Sequence, residues 1–116
     1  MEKKEFDEFD YETIGEKSAK EITTSQIRKL LTGVIKIANK LRLLEGELTE
    51  EIKKDIEKLR IQFIYQAGRH EKVQEFDKTA KISKKLKEIQ TKEEFEEFHR
   101  FIEGVVAYHK YYGGKD

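Results

Sequence analysis

The chain has 116 residues, 24 basic and 24 acidic side chains that cancel to zero formal charge, and neither cysteine nor proline. That length bounds it to one domain with a real core, and the lack of cysteine excludes a disulfide framework, a thiolate metal site and a cysteine nucleophile, in keeping with a reducing cytosol. Rich in Lys, Glu, Leu and Ile, it is expected to be all-α, a compact bundle of about five helices; with no long apolar run or leader-like start it reads as soluble and cytoplasmic, with no membrane partner.

Residues 1–22 alternate charge clusters with Phe6, Phe9, Tyr11 and Ile14, interrupted by Gly15, and show no sustained period. They read as an acidic arm or short helix, set apart from a helical domain over 23–116. Thr23-Thr24-Ser25 is a helix-start signal, after which Ile27, Leu30, Leu31, Val34, Ala38, Leu41 and Leu44 follow the 3.6-residue period. Opposite this stripe lie Lys29, Lys36 and Lys40, with Arg28 and Arg42 on a flank. Gly46 closes the helix, and the short link to Thr49, the next cap, predicts an antiparallel hairpin.

The next helix spans roughly 50–67. From Leu59 to Arg69 it is apolar on more than one face: Ile52, Ile56, Leu59 and Phe63 share one side, while Ile61, Ile64 and Tyr65 point elsewhere. That pattern predicts a buried hub, with Leu59, Phe63 and Ile64 in the core, stopped by Gly68. Arg60 lies on one edge, and Arg69 follows the stop. Beyond it, Val73, Phe76 and Ala80 share one face but Ile82, Leu86 and Ile89 share nearly the opposite one, a phase shift that predicts a bend. Thr91-Lys-Glu-Glu94 is a capping box that opens a last helix with Phe95, Phe98, Phe101, Ile102, Val105 and Val106 inward, ended by Gly113-Gly114.

Catalytic chemistry finds little support. Glu96 and His99 have the Glu-x-x-His spacing of di-iron bundles, and Glu103 adds a third group, but the second copy that such a site needs is missing. His70 and His109 lack a nucleophile at a recognisable spacing, and no phosphate-cradling glycine loop is present. What remains is charge. Residues 24–48, 49–70 and 71–90 carry +3, +1 and +2, between acidic ends of −4 (1–23) and −2 (91–116). The basic stripe has two readings, an ordinary solvated helix face or a track for a sugar–phosphate backbone. Tyr108, Tyr111 and Tyr112 likewise either stack on bases or pack on protein.

Three blocks together carry more: Thr23-Thr-Ser-Gln-Ile-Arg-Lys-Leu-Leu31, Gln62-Phe-Ile-Tyr-Gln-Ala-Gly-Arg69 and Val106-Ala-Tyr-His-Lys-Tyr-Tyr-Gly-Gly-Lys115. In this order and at these distances they resemble the small subunit of the type III-A CRISPR effector, the Csm complex, over about residues 23–116. The resemblance implies an all-helical, non-catalytic subunit without cofactor or metal. Such subunits line up in several copies along the duplex of crRNA and target RNA, beside the backbone and large subunits that hold the nuclease and cyclase chemistry. It carries over Arg28, Lys29, Arg69 and Lys110 as candidate RNA-backbone contacts; Lys36 and Arg60 join them on helix geometry alone. The competing reading is a purely protein–protein scaffold, and a helical metalloenzyme comes third.

Overall fold

Threonine starts three of the helices. Thr23 accepts the Gln26 N–H at 3.1 Å while the Gln26 side chain accepts the Thr23 N–H at 3.0 Å, and Thr91 and Glu94 repeat the exchange. Thr49 accepts from the Ile52 N–H at 3.2 Å. Each pairing satisfies donors that a helix start leaves open. The computed structural model describes residues 10–115. Among these lie six helices: α1 (Tyr11–Ser18), α2 (Thr24–Leu41), α3 (Glu50–Arg69), α4 (Glu71–Ala80), α5 (Ile82–Glu88) and α6 (Lys92–Tyr111).

The sixth helix, against an expectation of about five, comes from the division of the segment after α3 into α4 and α5, while α1 takes the place of the arm or short helix expected at the N-terminus. Within the N-terminal arm, residues 1–9, with Phe6 and Phe9, lie outside the described residues. Residues 11–18 form α1, a helix of the body: Ile14, Gly15 and Ser18 are buried, and α1 packs along α6. The phase shift after residue 80 is a bend, and its cause is Lys81, whose left-handed backbone (φ 57°) separates α4 from α5. Asp77 secures the elbow by accepting from both the N–H and the hydroxyl of Ser83, each at 2.8 Å.

One continuous core of phenylalanine and aliphatic side chains fills the interior, with Phe76, Phe95, Phe98 and Phe101 fully buried. Here α3 departs from expectation. Ile52, Ile56, Leu59, Phe63 and Ala67 make a single buried stripe, whereas Ile61 (56% exposed), Ile64 (42%) and Tyr65 (61%) face outward. The helix is amphipathic and not apolar all round; its one buried stripe is packed by α2, α4 and α5, while α6 is packed by α1 and α2. Gly68 is no stop either. It lies inside the helix, which runs through Arg69 and ends where His70 turns extended. Among the described residues, no helix is long and apolar enough to cross a membrane.

Candidate nucleic-acid interface

The stripe of α2 that is not core faces a trough along α3. Three hollows share its walls. One of about 430 Å³ is lined by Lys29, Lys36, Lys40, Asp55, Lys58 and Gln62 among others. It meets, at Lys29, Leu59 and Gln62, an apolar groove of about 440 Å³ walled by Leu30, Ile61, Phe63 and Tyr65, with Gln62 and Gln66 at its edge. At Ile22 and Gln26 the groove opens into a third hollow of about 770 Å³, lined by Lys20, Arg69, Lys72 and Lys115. Eight cations (Lys20, Lys29, Lys36, Lys40, Lys58, Arg69, Lys72, Lys115) thus face three carboxylates, those of Glu21, Asp55 and Glu71. A chain of zero net charge therefore presents one clearly cationic surface.

Not all of these cations are equally available. Asp55 takes Lys40 at 2.7 Å, with Glu51 at 3.6 Å, and this partnership holds the Lys40 ammonium above its ordinary pKa. Lys72 reaches Glu75 at 3.7 Å. Lys29, Lys36 and Lys58 have no ion-pair partner among the described residues. Arg69 lies with its guanidinium 5.6 Å from the centre of the Tyr65 ring, which braces it without neutralising it.

The C-terminal tail is clasped to the lower end of this trough. His109, 1% exposed, points Nε2 at the Ile22 carbonyl at 2.6 Å, a geometry that requires Nε2–H to donate. The Lys115 carbonyl accepts from the Thr24 N–H at 2.7 Å, and Gly114 N–H returns to the His109 carbonyl at 2.8 Å. Gly113 makes the reversal with φ 93°. The clasp places Lys115 in the wall of the hollow that Arg69 also lines.

Of the six residues named from sequence, the structure brings Lys29, Lys36 and Arg69 to the trough. Arg28 lines a shallower hollow that adjoins it at Lys29. Arg60 sits on the far flank of α3, donating from Nε to the Ser83 carbonyl at 3.2 Å and pairing with Glu57 at 3.3 Å, so it ties α3 to α5. Lys110 is exposed on α6 and lines none of the three hollows. Sequence reasoning passed over Lys58, Lys20 and Lys115. Lys58 was findable, since it precedes Gln62 by one turn on the side of α3 that turns to α2; the other two depend on the clasp.

The Glu-x-x-His pattern resolves into a local pair: His99 lies 3.3 Å from Glu103, with Glu96 exposed. Among the described residues no group of three or more His, Asp or Glu side chains is placed to hold a metal.

Comparison with known proteins gives the family of the chain. The family profile described as Csm2 Type III-A matches residues 5–115, a stretch that takes in α1, which the three sequence blocks left out. A Streptococcus thermophilus protein named CRISPR system Cms protein Csm2 is 42% identical over 95 residues, 82% of this chain and 76% of the relative. Proteins of the same name from Mycobacterium tuberculosis (strain H37Rv) and Enterococcus italicus are 31% identical over 102 residues and 28% over 95. The first alignment covers 86% of this chain and 82% of its relative, the second 78% and 68%.

Proposed function

The chain belongs to the Csm2 type III-A family, the small subunit of the type III-A CRISPR effector, and from that premise we propose that it is a non-catalytic, cytoplasmic assembly subunit that lines the duplex of crRNA and target RNA through backbone contacts. Its further partners are then the backbone and large subunits and other copies of itself. The observation that carries the reading is the trough between α2 and α3, where cations without partners outnumber carboxylates along a continuous channel.

The chemistry asked of such a subunit is modest. Base pairing with the guide supplies sequence specificity, so the protein needs shape and charge and no base-edge readout. Lys29 and Lys36 are seven residues apart on one helix, about 10 Å along its axis, and Arg69 extends the line at the other end of the groove. Lysine heads neutralise phosphates as mobile point charges, while the Tyr65-braced guanidinium of Arg69 presents a fixed fork that suits two phosphate oxygens. Arg28 contributes from the adjoining hollow and Lys110 from the outer face of α6. Arg60, occupied by Ser83 and Glu57, serves to hold α5.

The test is a salt titration of RNA binding by the assembled complex containing this subunit or its Lys29→Ala, Lys36→Ala, Arg69→Ala triple variant. Losing three phosphate contacts flattens the slope of log affinity against log salt by about 2. An unchanged slope, with assembly intact, removes the RNA reading. It would favour the scaffold alternative, for which the exposed Ile61 and Tyr65 at the groove are the supporting observation.

A further inference from the structure

The apolar groove at the middle of the trough offers a phosphate nothing to bind but Lys29. Its walls are Leu30, Leu59, Ile61, Phe63, Tyr65 and Val73, and among the described residues that line it Lys29 alone is charged. Ile61 and Tyr65 stand open to solvent along it. The two ends differ from the middle: one runs into the hollow that holds Lys36 and Lys58, the other into the hollow that holds Lys20, Arg69 and Lys72. Glu21, Asp55 and Glu71 interrupt the charge at those ends without reversing it. The occupant that suits this surface is apolar at its centre and acidic on its flanks.

One stretch of this chain has that composition. Residues 5–9 read Glu-Phe-Asp-Glu-Phe, three carboxylates with no base, and Phe6 and Phe9 are three residues apart. Taken up as one turn of helix, this spacing sets both rings on one side and leaves Glu5, Asp7 and Glu8 on the flanks. The segment cannot seat both rings in the groove of its own chain. Phe9 directly precedes Asp10, whose carboxylate caps α1 by accepting the Thr13 N–H at 3.2 Å, and Tyr11 is then held on Tyr108 with 6.1 Å between ring centres. The groove begins past the other end of α1, at Ile22, and the eight residues of that helix alone put about 12 Å between the two.

We propose that residues 5–9 of a second copy dock in this groove, with Phe6 and Phe9 between α2 and α3 and their flanking carboxylates against the cations of the two end hollows. The phosphates of a nucleic-acid strand suit those ends, but they leave the apolar walls in water; the two phenylalanines cover them. Groove and arm are different surfaces of one chain, so the contact joins copies head to tail. It goes beyond the RNA reading and forms without RNA. Arm and RNA nonetheless call on the same Lys29 and Arg69, so each weakens the binding of the other.

Sedimentation equilibrium of the full chain without RNA is the test. Two kinds of variant are compared with the parent: Phe6→Ser with Phe9→Ser disables the arm, and Ile61→Glu or Tyr65→Ser, both at exposed positions, disables the groove. Circular dichroism checks their folding. The parent is expected to associate at about 100 µM, and each variant alone about tenfold more weakly or less, because a phenylalanine withdrawn from water is worth at least that factor. A mixture of arm and groove variants should form a one-to-one heterodimer, since one supplies the intact groove and the other the intact arm. A parent that stays monomeric, an arm variant that associates like the parent, or folded variants that fail to pair overturns the proposal, as does a groove variant whose only loss is oligouridine binding. The RNA reading has its own readout, the salt slope of the assembled complex, so the two can fail separately.

Discussion

The α1–α6 seam and the α2–α3 face both contain a glycine at their point of closest approach, yet the two contacts differ in kind. A Cβ on Gly15 would stand 2.5 Å from the Tyr108 Cβ and 3.0 Å from the Val105 carbonyl oxygen, atoms fixed to the α6 backbone. A Cβ on Gly33 would meet only the Leu59 side chain, nearest at its Cδ1 end. The first pair is closed backbone on backbone. The second is bridged by side-chain tips, and the space left between its helices is the cationic trough. The difference teaches where this chain keeps its freedom: a seam that cannot open holds α1 to α6, and a face held by flexible groups carries the exposed charge.

The strongest way to break the contrast is at the floor of the trough. Phe63 lies under the groove, packed edge-to-face on Phe76 at 6.3 Å. Phe63→Ala should cost about 3–5 kcal/mol in denaturant unfolding, while Arg69→Ala, on the same helix but braced only by Tyr65, should leave the midpoint unchanged. If the two cost the same, rim and floor of the trough are not separable.

The glycines themselves give the next test, with opposite signs. Gly15→Ala should destabilise by about 1–3 kcal/mol, because overpacking against fixed backbone outweighs the gain in helix propensity. Gly33→Ala should be neutral or slightly stabilising, since Leu59 can swing its end into the trough and alanine favours the helix by up to about 1 kcal/mol. Thermal melts of both variants decide it; equal losses would mean that the α2–α3 face is as rigid as the seam.

Much of this was legible in the residues, and the failures share a cause. Helices α2, α3 and α6 announce themselves through threonine caps and period, and the α4–α5 elbow through its phase shift, because those signals are local. Ile64 is expected in the core, and Ile61 and Tyr65 on further faces of a buried helix, yet all three are exposed, because apolar identity cannot distinguish a buried position from a groove wall. Between arm and short helix the sequence does not choose at residues 11–18, because eight residues give too short a period, and the burial of α1 depends on what α6 offers. His109 carried a usable sign: it continues the register of Ile102 and Val105, which marks it as core-facing. The trough itself joins segments far apart in the chain, which no single helical wheel displays.

Lys81 makes the elbow that lets α4 reach α1 and α5 lie on α3, so it links the two regions. A lysine in the left-handed region is strained, and glycine is not. Lys81→Gly should therefore stabilise by about 1 kcal/mol, read as a higher denaturant midpoint with an unchanged slope. A loss would show that the lysine side chain contributes more than its backbone costs.

The smallest effect tests the place where seam and trough meet. Glu21 lies between α1 and α2 and lines the lower hollow together with Tyr112 and Arg69. Burial raises its carboxyl above the ordinary value of 4.5, against the hydrogen bond donated by Thr79 at 2.9 Å, and its Oε1 is buried with no hydrogen-bond partner among the described residues. A raised folded-state pKa means that the folded chain holds this proton more tightly than the unfolded one. The burial penalty is therefore absent below 4.5 and enters as pH rises through the folded value. Glu21→Gln keeps an acceptor for Thr79 and removes the buried charge, so its Tm should exceed that of the parent at pH 7 and match it near pH 4. Because the side chain is only partly buried, solvent screening keeps the gain to about 1–2 °C. A Tm lowered at pH 7 would instead make Glu21 a working counter-charge to Lys17 and Lys72, and the trough would then be less cationic than its residue count implies.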